Sequence, residues 1–347
     1  MKDLCVIVTA CGAPGGPGII ASLRRVRERG IRIVGVDANP AASGLFLSDD
    51  AYVVPEAASE DSYIAAMVDV ARKSKADAIL PLSGTELLLL SRNAAGFSGA
   101  SVAVNRPEAL EIALDKQKTY AFLAGSGVAI PDHRVVEDYE GFLAAVQALG
   151  YPEVPVCFKP AVSKGQRGFR ILREDADLRK ILLETKPDST VTTLDLVSPI
   201  LSAGFSQQLL VSEYLPGSEY TVDSLVDEGR SLVTIPRKRV ATKLGISSVG
   251  VVENNPAMIR AAEEINRLFA FHFNINVQLK YAADGIPKLV EIKPRVSGTI
   301  CLSVEAGPNL PYLAIKQALG EDFEIPEVEW GITMIRYWSE VYTRAPA

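Results

Sequence analysis

The chain has 347 residues, 48% of them hydrophobic, and a formal net charge of −6. This length buries more than one core, the acidic balance argues against nucleic acid as the main partner, and four scattered cysteines with two histidines argue against a zinc site. No basic stretch leads into an apolar one at the start and no run reaches membrane-spanning length, so a reducing, cytoplasmic setting without membrane contact is expected. In chain order, 4–9 reads as a buried strand, 11–18 as a Gly/Pro loop, and the residues through Arg29 as a helix. Strands at 31–36, 51–54, 78–80 and 101–104 alternate with helices at 62–73 and from Glu86. This rhythm predicts a parallel sheet with helices on both faces. A helix opening at Pro107 leads to Asp115-Lys116, after which the pattern changes. Helices at 116–126, 139–149 and 175–183 mix with strands at 156–159, 169–172, 209–214, 219–226 and 231–236. Asp227-Glu228-Gly229 is a hairpin turn. Boundaries fall near 107–114 and 187–198, and no internal repeat is present.

Near the C-terminal end two alternating segments flank Asp284-Gly285, a two-residue hairpin signal. Pairing about that turn sets Gln278 opposite Glu291 and Asn276 opposite Lys293. Side chains alternate along a strand, so these four share one face. Val277, Leu279, Tyr281, Val290 and Ile292 take the other, apolar face. An amide, a carboxylate and cations in register suit a metal–phosphate site, since magnesium takes oxygen ligands and shares them with nucleotide phosphates. Arg295 continues the polar face.

Three further segments carry candidate chemistry. Gly16-Pro17-Gly18-Ile19-Ile20-Ala21 has the G-x-G-x-x-A spacing of a dinucleotide loop, with Asp37 placed as a ribose-binding acid. Pro14 and Pro17 remove backbone donors that pyrophosphate would use, so a glycine-rich turn closing a Rossmann-like unit is favoured over a nicotinamide site. The second segment is a strand ending at Lys159, followed by a small-residue loop with Lys164, Gly165, Arg167 and Gly168. Its glycines allow backbone amides to close over phosphate oxygens, although the GK[ST] ending of a Walker loop is absent. In the third, Glu213 ends one strand, Pro216-Gly217 turns, and Glu219 opens the next strand with Asp223 on the same face.

Taken in this order, the pieces resemble the ATP-grasp superfamily, in its carbamoyl-phosphate-synthase-like, carboxylate–amine ligase branch, over nearly the whole chain. The resemblance implies an α/β and α+β architecture: a Rossmann-like pre-ATP-grasp domain (1–110), then an ATP-grasp small subdomain with the glycine-rich loop (111–195) and a large subdomain (196–347). It implies ATP and Mg²⁺ as cofactors, with Lys116, Lys159, Gly165 and Gly168 at the phosphates. Glu213, Tyr214 and Leu215 would line the adenine pocket, Glu219 would bind ribose, and Gln278 and Glu291 would ligate magnesium. Arg295, Lys293, Arg239 and Lys243 would lie at the reaction centre, the last two within the basic stretch that opens at Pro236-Arg237-Lys238. Gly307-Pro308-Asn309-Leu310-Pro311 resembles a closing motif of the family. The implied activity joins a small carboxylate, activated as an acyl phosphate, to an amine, in an assembly for which the relatives suggest a homodimer. Phosphorylation of bicarbonate or carbamate, an NAD(P)-dependent oxidoreductase and a weakly catalytic nucleotide-binding protein are the alternatives. One departure stands out: the family usually has Glu-Ile-Asn-Pro-Arg, and here the Asn position is Lys293, which cannot ligate a metal. Lys293 then replaces the charge of a second metal, orients the phosphate of an unusual substrate, or marks poor turnover.

Overall fold

The computed structural model describes residues 1–161, 167–185, 190–243 and 245–343. The first sheet is parallel and contains β1 (Leu4–Val8), β2 (Ile31–Asp37), β3 (Asp50–Val53), β4 (Ala78–Leu80) and β5 (Ser101–Val102) in the order β3-β2-β1-β4-β5. Its connections hold α1 (Gly16–Arg24), α2 (Ser43–Leu47), α3 (Glu60–Ser74) and α4 (Leu87–Arg92). All five residues of β1 are buried, as a central strand covered on both faces requires. The strand order reverses between β1 and β4, which opens a crevice beyond their carboxyl ends.

Two helices, α5 (Pro107–Ala113) and α6 (Lys116–Leu123), lead to a second sheet. It contains β6 (His133–Val136), β7 (Val156–Pro160), β8 (Arg170–Leu172), β9 (Val191–Thr192) and β10 (Leu209–Glu213), ordered β6-β10-β7-β8-β9. Helices α7 (Tyr139–Ala148), α8 (Leu178–Glu184) and α9 (Leu194–Leu201) belong to the same stretch. β10 inserts antiparallel between β6 and β7. Leu201, Leu209 and Val211 pack into one core with Phe142, Phe158 and Leu172. A division at 195/196 therefore cuts through this unit: β10 is a strand of the second sheet and α9 packs on its core, so neither opens the third.

The third sheet is antiparallel. Its strands are β11 (Glu219–Asp227), β12 (Arg230–Lys243), β13 (Ile246–Val252), β14 (Phe273–Tyr281), β15 (Pro287–Lys293) and β16 (Thr333–Ile335), in the order β15-β14-β11-β12-β13-β16. The β11–β12 turn sits at Glu228 and Gly229, with φ of 48° and 82°, the positive values a tight hairpin demands. Helices α10 (Pro256–Leu268), α11 (Cys301–Glu305) and α12 (Leu310–Ala318) cover the sheet. Asn309, in the expected closing motif, caps α12 and donates to the Ser22 carbonyl of α1 at 2.8 Å. One apolar core runs from Val6, Ile20 and Leu23 of the first unit to Ile235, Leu302 and Leu313 of the third.

The β14–β15 hairpin reaches the expected pairing by an unexpected route. Its loop has three residues, Ala283-Asp284-Gly285: the Ala282 amide donates to the Ile286 carbonyl at 2.9 Å and Gly285 has φ of 80°. That displaces the ladder by one residue, so Leu279 faces Leu289. A bulge at Val290 then restores it, and Gln278 faces Glu291 and Asn276 faces Lys293. The bulge corrects one assignment: Leu289, not Val290, joins Val277, Leu279 and Ile292 in the core.

Candidate active site

Five cationic or acidic side chains are carried into one place by four segments. The Asp115 carboxylate caps α6 by accepting from the Gln117 and Lys118 amides, which fixes Lys116 as the first helical residue. Lys159 is the penultimate residue of β7, and Glu291 and Lys293 alternate on β15. Arg295 follows a tight turn at Pro294, where its amide donates to the Lys293 carbonyl at 2.7 Å. All five line a cavity of about 1140 Å³. Its opposite wall is the crevice of the first sheet: Gly12 and Ala13 after β1, Asp37 and Asn39 at β2, and Ser83, Gly84 and Thr85 after β4. The Val290 bulge contributes directly, since its carbonyl accepts from Lys116 Nζ at 2.5 Å.

The electrostatics follow from crowding of like charge in a partly dry site. Burial, reinforced by the Lys159 ammonium, pushes the Lys116 amine down to about 7. Glu291 is pulled both ways: burial raises it, but Lys293, Lys116 and Lys159 together hold it below the usual carboxylate range. Burial also lowers Arg295, which stays charged. A cluster with this excess of positive charge at a helix N-terminus suits a polyanion such as a phosphate chain.

Lys293 Nζ lies 3.0 Å from Glu291 Oε2. With the Gln278 amide oriented to match its neighbours, its nitrogen donates to the same Oε2 at 3.2 Å and its oxygen accepts from Lys293 Nζ at 3.0 Å. The two expected magnesium ligands are thus side by side, with an ammonium against both. Both contacts fall on Oε2, so the other Glu291 oxygen would be the atom to hold one magnesium, with nucleotide phosphates completing its shell. Among the described residues no group of three or more His, Cys, Asp or Glu side chains is arranged to hold a metal.

Other expected residues lie apart from this cavity. Glu213 Oε2 accepts from Lys288 Nζ at 2.7 Å and from the Asp132 amide at 3.1 Å. The Tyr214 ring lies 5.3 Å from Lys280 Nζ, and Leu215 is buried. Glu219 pairs with Arg239, whose guanidinium also binds Ser247 Oγ and the Gly245 carbonyl. Arg239 lines a smaller cavity of about 180 Å³ together with Thr221, Asn276, Gln278, Lys293 and Arg295. Lys243 lies over the Trp338 ring at 5.6 Å, past two bulges in the β12–β13 ladder, and borders neither cavity. Gly168 has φ of 72° and a Cβ there would meet Pro160 Cδ at 2.6 Å, so only glycine fits. Gly165 lies outside the described residues. Arg237, in the basic stretch beside the expected reaction centre, is turned inward: 2% exposed, it pairs with Asp223 at 2.7 Å and binds Ser297 and Thr299.

The glycines of the N-terminal loop are used for packing. A Cβ on Gly15 would stand 2.5 Å from Gly298 Cα, and one on Gly16 only 1.9 Å from the Cys11 carbonyl oxygen. The Asp37 carboxylate accepts from the Gly12 and Asn39 amides at 2.8 and 2.9 Å, which shapes the loop from within. Sequence reasoning missed Asn105, which reaches the Pro294 carbonyl at 3.4 Å and accepts from the His272 amide at 2.7 Å. It also missed the Ser83–Thr85 wall. Neither carries a local signal, because each works through residues far away in the chain.

A Rossmann-like unit, a small mixed sheet and a large antiparallel sheet meeting at a lysine-lined cavity define an ATP-grasp protein. The comparisons agree. Residues 8–104 match the family model "PylC-like, N-terminal domain", and residues 205–338 match "ATP-grasp in the biosynthetic pathway with Ter operon". The chain belongs to the ATP-grasp superfamily and has a PylC-like N-terminal domain. It is 25% identical over 335 residues to the carbamoyl phosphate synthase large chain of Micrococcus luteus, covering 88% of this chain and 28% of that one. The Methanothermobacter thermautotrophicus large chain is 24% identical, with 89% and 29% covered. The chain thus spans less than a third of the length of these relatives. Among solved structures it resembles an ADP complex of N5-carboxyaminoimidazole ribonucleotide synthetase (TM-score 0.69, 14% identity, 94% and 79% covered). It also resembles the biotin carboxylase domain of Hydrogenobacter thermophilus 2-oxoglutarate carboxylase (0.67, 17%, 94% and 72%) and the L-amino acid ligase of Bacillus licheniformis (0.62, 14%, 92% and 74%). These likenesses are of fold.

Proposed function

We propose that the protein is an ATP-dependent ligase that activates a small carboxylic acid as an acyl phosphate and transfers the acyl group to an amine. The observation that carries this reading is the convergence of Lys116, Lys159, Glu291, Lys293 and Arg295 in one cavity whose far wall is the first-sheet crevice. Lys116 and Lys159 would hold the phosphate chain, while the Ser83–Thr85 wall would hold the acid. A carboxylate oxygen attacks the γ-phosphorus and ADP leaves. The amine then attacks the acyl carbon, phosphate leaves, and the amine gives up a proton. Arg295 would stabilise the charge that develops on the transferred phosphoryl group and the acyl phosphate. When bound on Glu291, magnesium would supply charge neutralisation at the phosphates. No nucleophilic side chain is needed, because placement and charge supply the catalysis.

Screening amino acids and small carboxylates for stimulated ADP release, with hydroxylamine as trap, tests this. A hydroxamate is expected; ADP release without one, for every acid that stimulates it, would remove the acyl phosphate. Glu291→Ala is expected to abolish Mg-ATP turnover with the fold retained by circular dichroism, whereas unchanged turnover would take Glu291 out of the site. Bicarbonate is the second reading for the activated acid, supported by the likeness to a biotin carboxylase solved with bicarbonate. ADP release that depends on bicarbonate alone would favour it.

A further inference from the structure

The polar face of the third sheet carries three acids near the site, and each already has a cation. Asp223 pairs with Arg237, Glu219 with Arg239, and Glu291 with Lys293. The strand register makes this a lattice rather than a coincidence: Arg237 faces Thr221, Thr221 faces Gln278, and Gln278 faces Glu291 across four strands. In the adjacent row Asn276, opposite Lys293, gives its amide to Asp223 Oδ1 at 2.8 Å. Ser303 Oγ donates to the other Asp223 oxygen at 2.7 Å. Both Asp223 oxygens are therefore taken, and Asp223 is not left to ligate a metal.

We propose that the Lys293 ammonium stands as a tethered cation where a second divalent ion would be drawn, so that the protein binds a nucleoside triphosphate with a single metal ion. This rests on the nucleotide-binding reading above and deepens it. Lys293 Nζ is held by two oxygens, Glu291 Oε2 and the Gln278 amide oxygen, each at 3.0 Å. The ammonium thus sits on the Gln278 side of Glu291, against Oε2, which leaves the other carboxylate oxygen for the single metal ion. The strand of Lys293 is laddered to β14, and the turn at Pro294 begins directly after it, which fixes the backbone from which the side chain extends. An ammonium cannot accept and cannot be displaced from between the oxygens without leaving a charge unpaired. Fixed positive charge at this point needs no recruitment from solution, so nucleotide binding should respond to one metal ion only.

The test counts metal ions. Mn²⁺ bound per nucleotide site is measured by electron paramagnetic resonance on the full chain saturated with the non-hydrolysable analogue adenylyl imidodiphosphate. One Mn²⁺ per bound nucleotide is expected for the unaltered protein and for Lys293→Arg, and two for Lys293→Asn. Two ions in the unaltered protein, with nucleotide bound, would overturn the tethered cation and leave the nucleotide reading intact. One ion in folded Lys293→Asn would also overturn it, since removing the ammonium would then open no site. Failure of the analogue to bind would overturn the nucleotide reading together with this inference. If Lys293→Asn does not fold, the count in the unaltered protein decides.

Discussion

Lys116 shows how one residue can report on the whole site. It is the first residue of a capped helix, pressed against Lys159 and tied to the Val290 carbonyl, and its amine is pushed down to about 7. In the unfolded chain the same amine titrates near ~10.4. Between ~7 and ~10.4 the unfolded state therefore binds more protons, so this group's contribution to stability rises with pH across that window. Below ~7 the amine is charged in both states and its buried charge counts fully against the fold. Phosphates arriving beside it reverse the balance by favouring the ammonium. Nucleotide binding at pH 8 is thus expected to take up close to one proton, read from calorimetry in two buffers of different ionisation enthalpy. Lys116→Met should abolish the uptake; uptake that persists would assign the proton elsewhere. Arg237 belongs to the same scale but to another job. Replacing it with Leu leaves Asp223 buried and unpaired, a loss of roughly 3–5 kcal/mol, measurable by denaturant titration.

At the scale of elements, the β14–β15 hairpin and the loop before α1 carry the geometry. The polar set of the hairpin was legible because strand side chains alternate with a period of two. The three-residue turn and the Val290 bulge were not, since each shifts the register by one and the two cancel at Gln278 and Glu291. Deleting Val290 would close the ladder with Gln278 still opposite Glu291, but it would remove the carbonyl that accepts from Lys116 Nζ. Weakened nucleotide binding is expected; unchanged binding would show that the bulge carbonyl does not set the site. Before α1, Gly16→Ala should cost at least ~1–3 kcal/mol, because its Cβ has no room beside the Cys11 carbonyl. A thermal shift with Mg-ATP but none with NADH is the companion expectation, and the reverse pattern would restore the dinucleotide reading of this loop.

On the scale of the whole molecule, the first and third units share a core. Ile20 and Leu23 of α1 pack with Leu302, Leu313 and Ile315 from the far end of the chain. Ion pairs bind the same seam, with Arg29 to Glu321 and Glu28 to Lys316. Residues 1–110 expressed alone would expose that apolar face and are expected to self-associate or stay loosely packed. A monomeric fragment with dispersed amide resonances would show that the unit folds independently. The second unit has its own core around Phe142 and Phe158 and shares none of this seam. No helix among the described residues is long and apolar enough to cross a membrane.

Local order in the chain was enough to determine the parallel first unit, the antiparallel third one, and the polar set of the β14–β15 hairpin. Those features follow from periodicity and turn chemistry, which act over a few residues. Only the tertiary structure decided where β10 belongs, which acids are already neutralised, and that Lys293 points its charge between the two expected metal ligands. The physical reason is that ion pairing and sheet order depend on strands dozens of residues apart. Asp223 meets Arg237 and Asn276 only because β11 lies between β12 and β14.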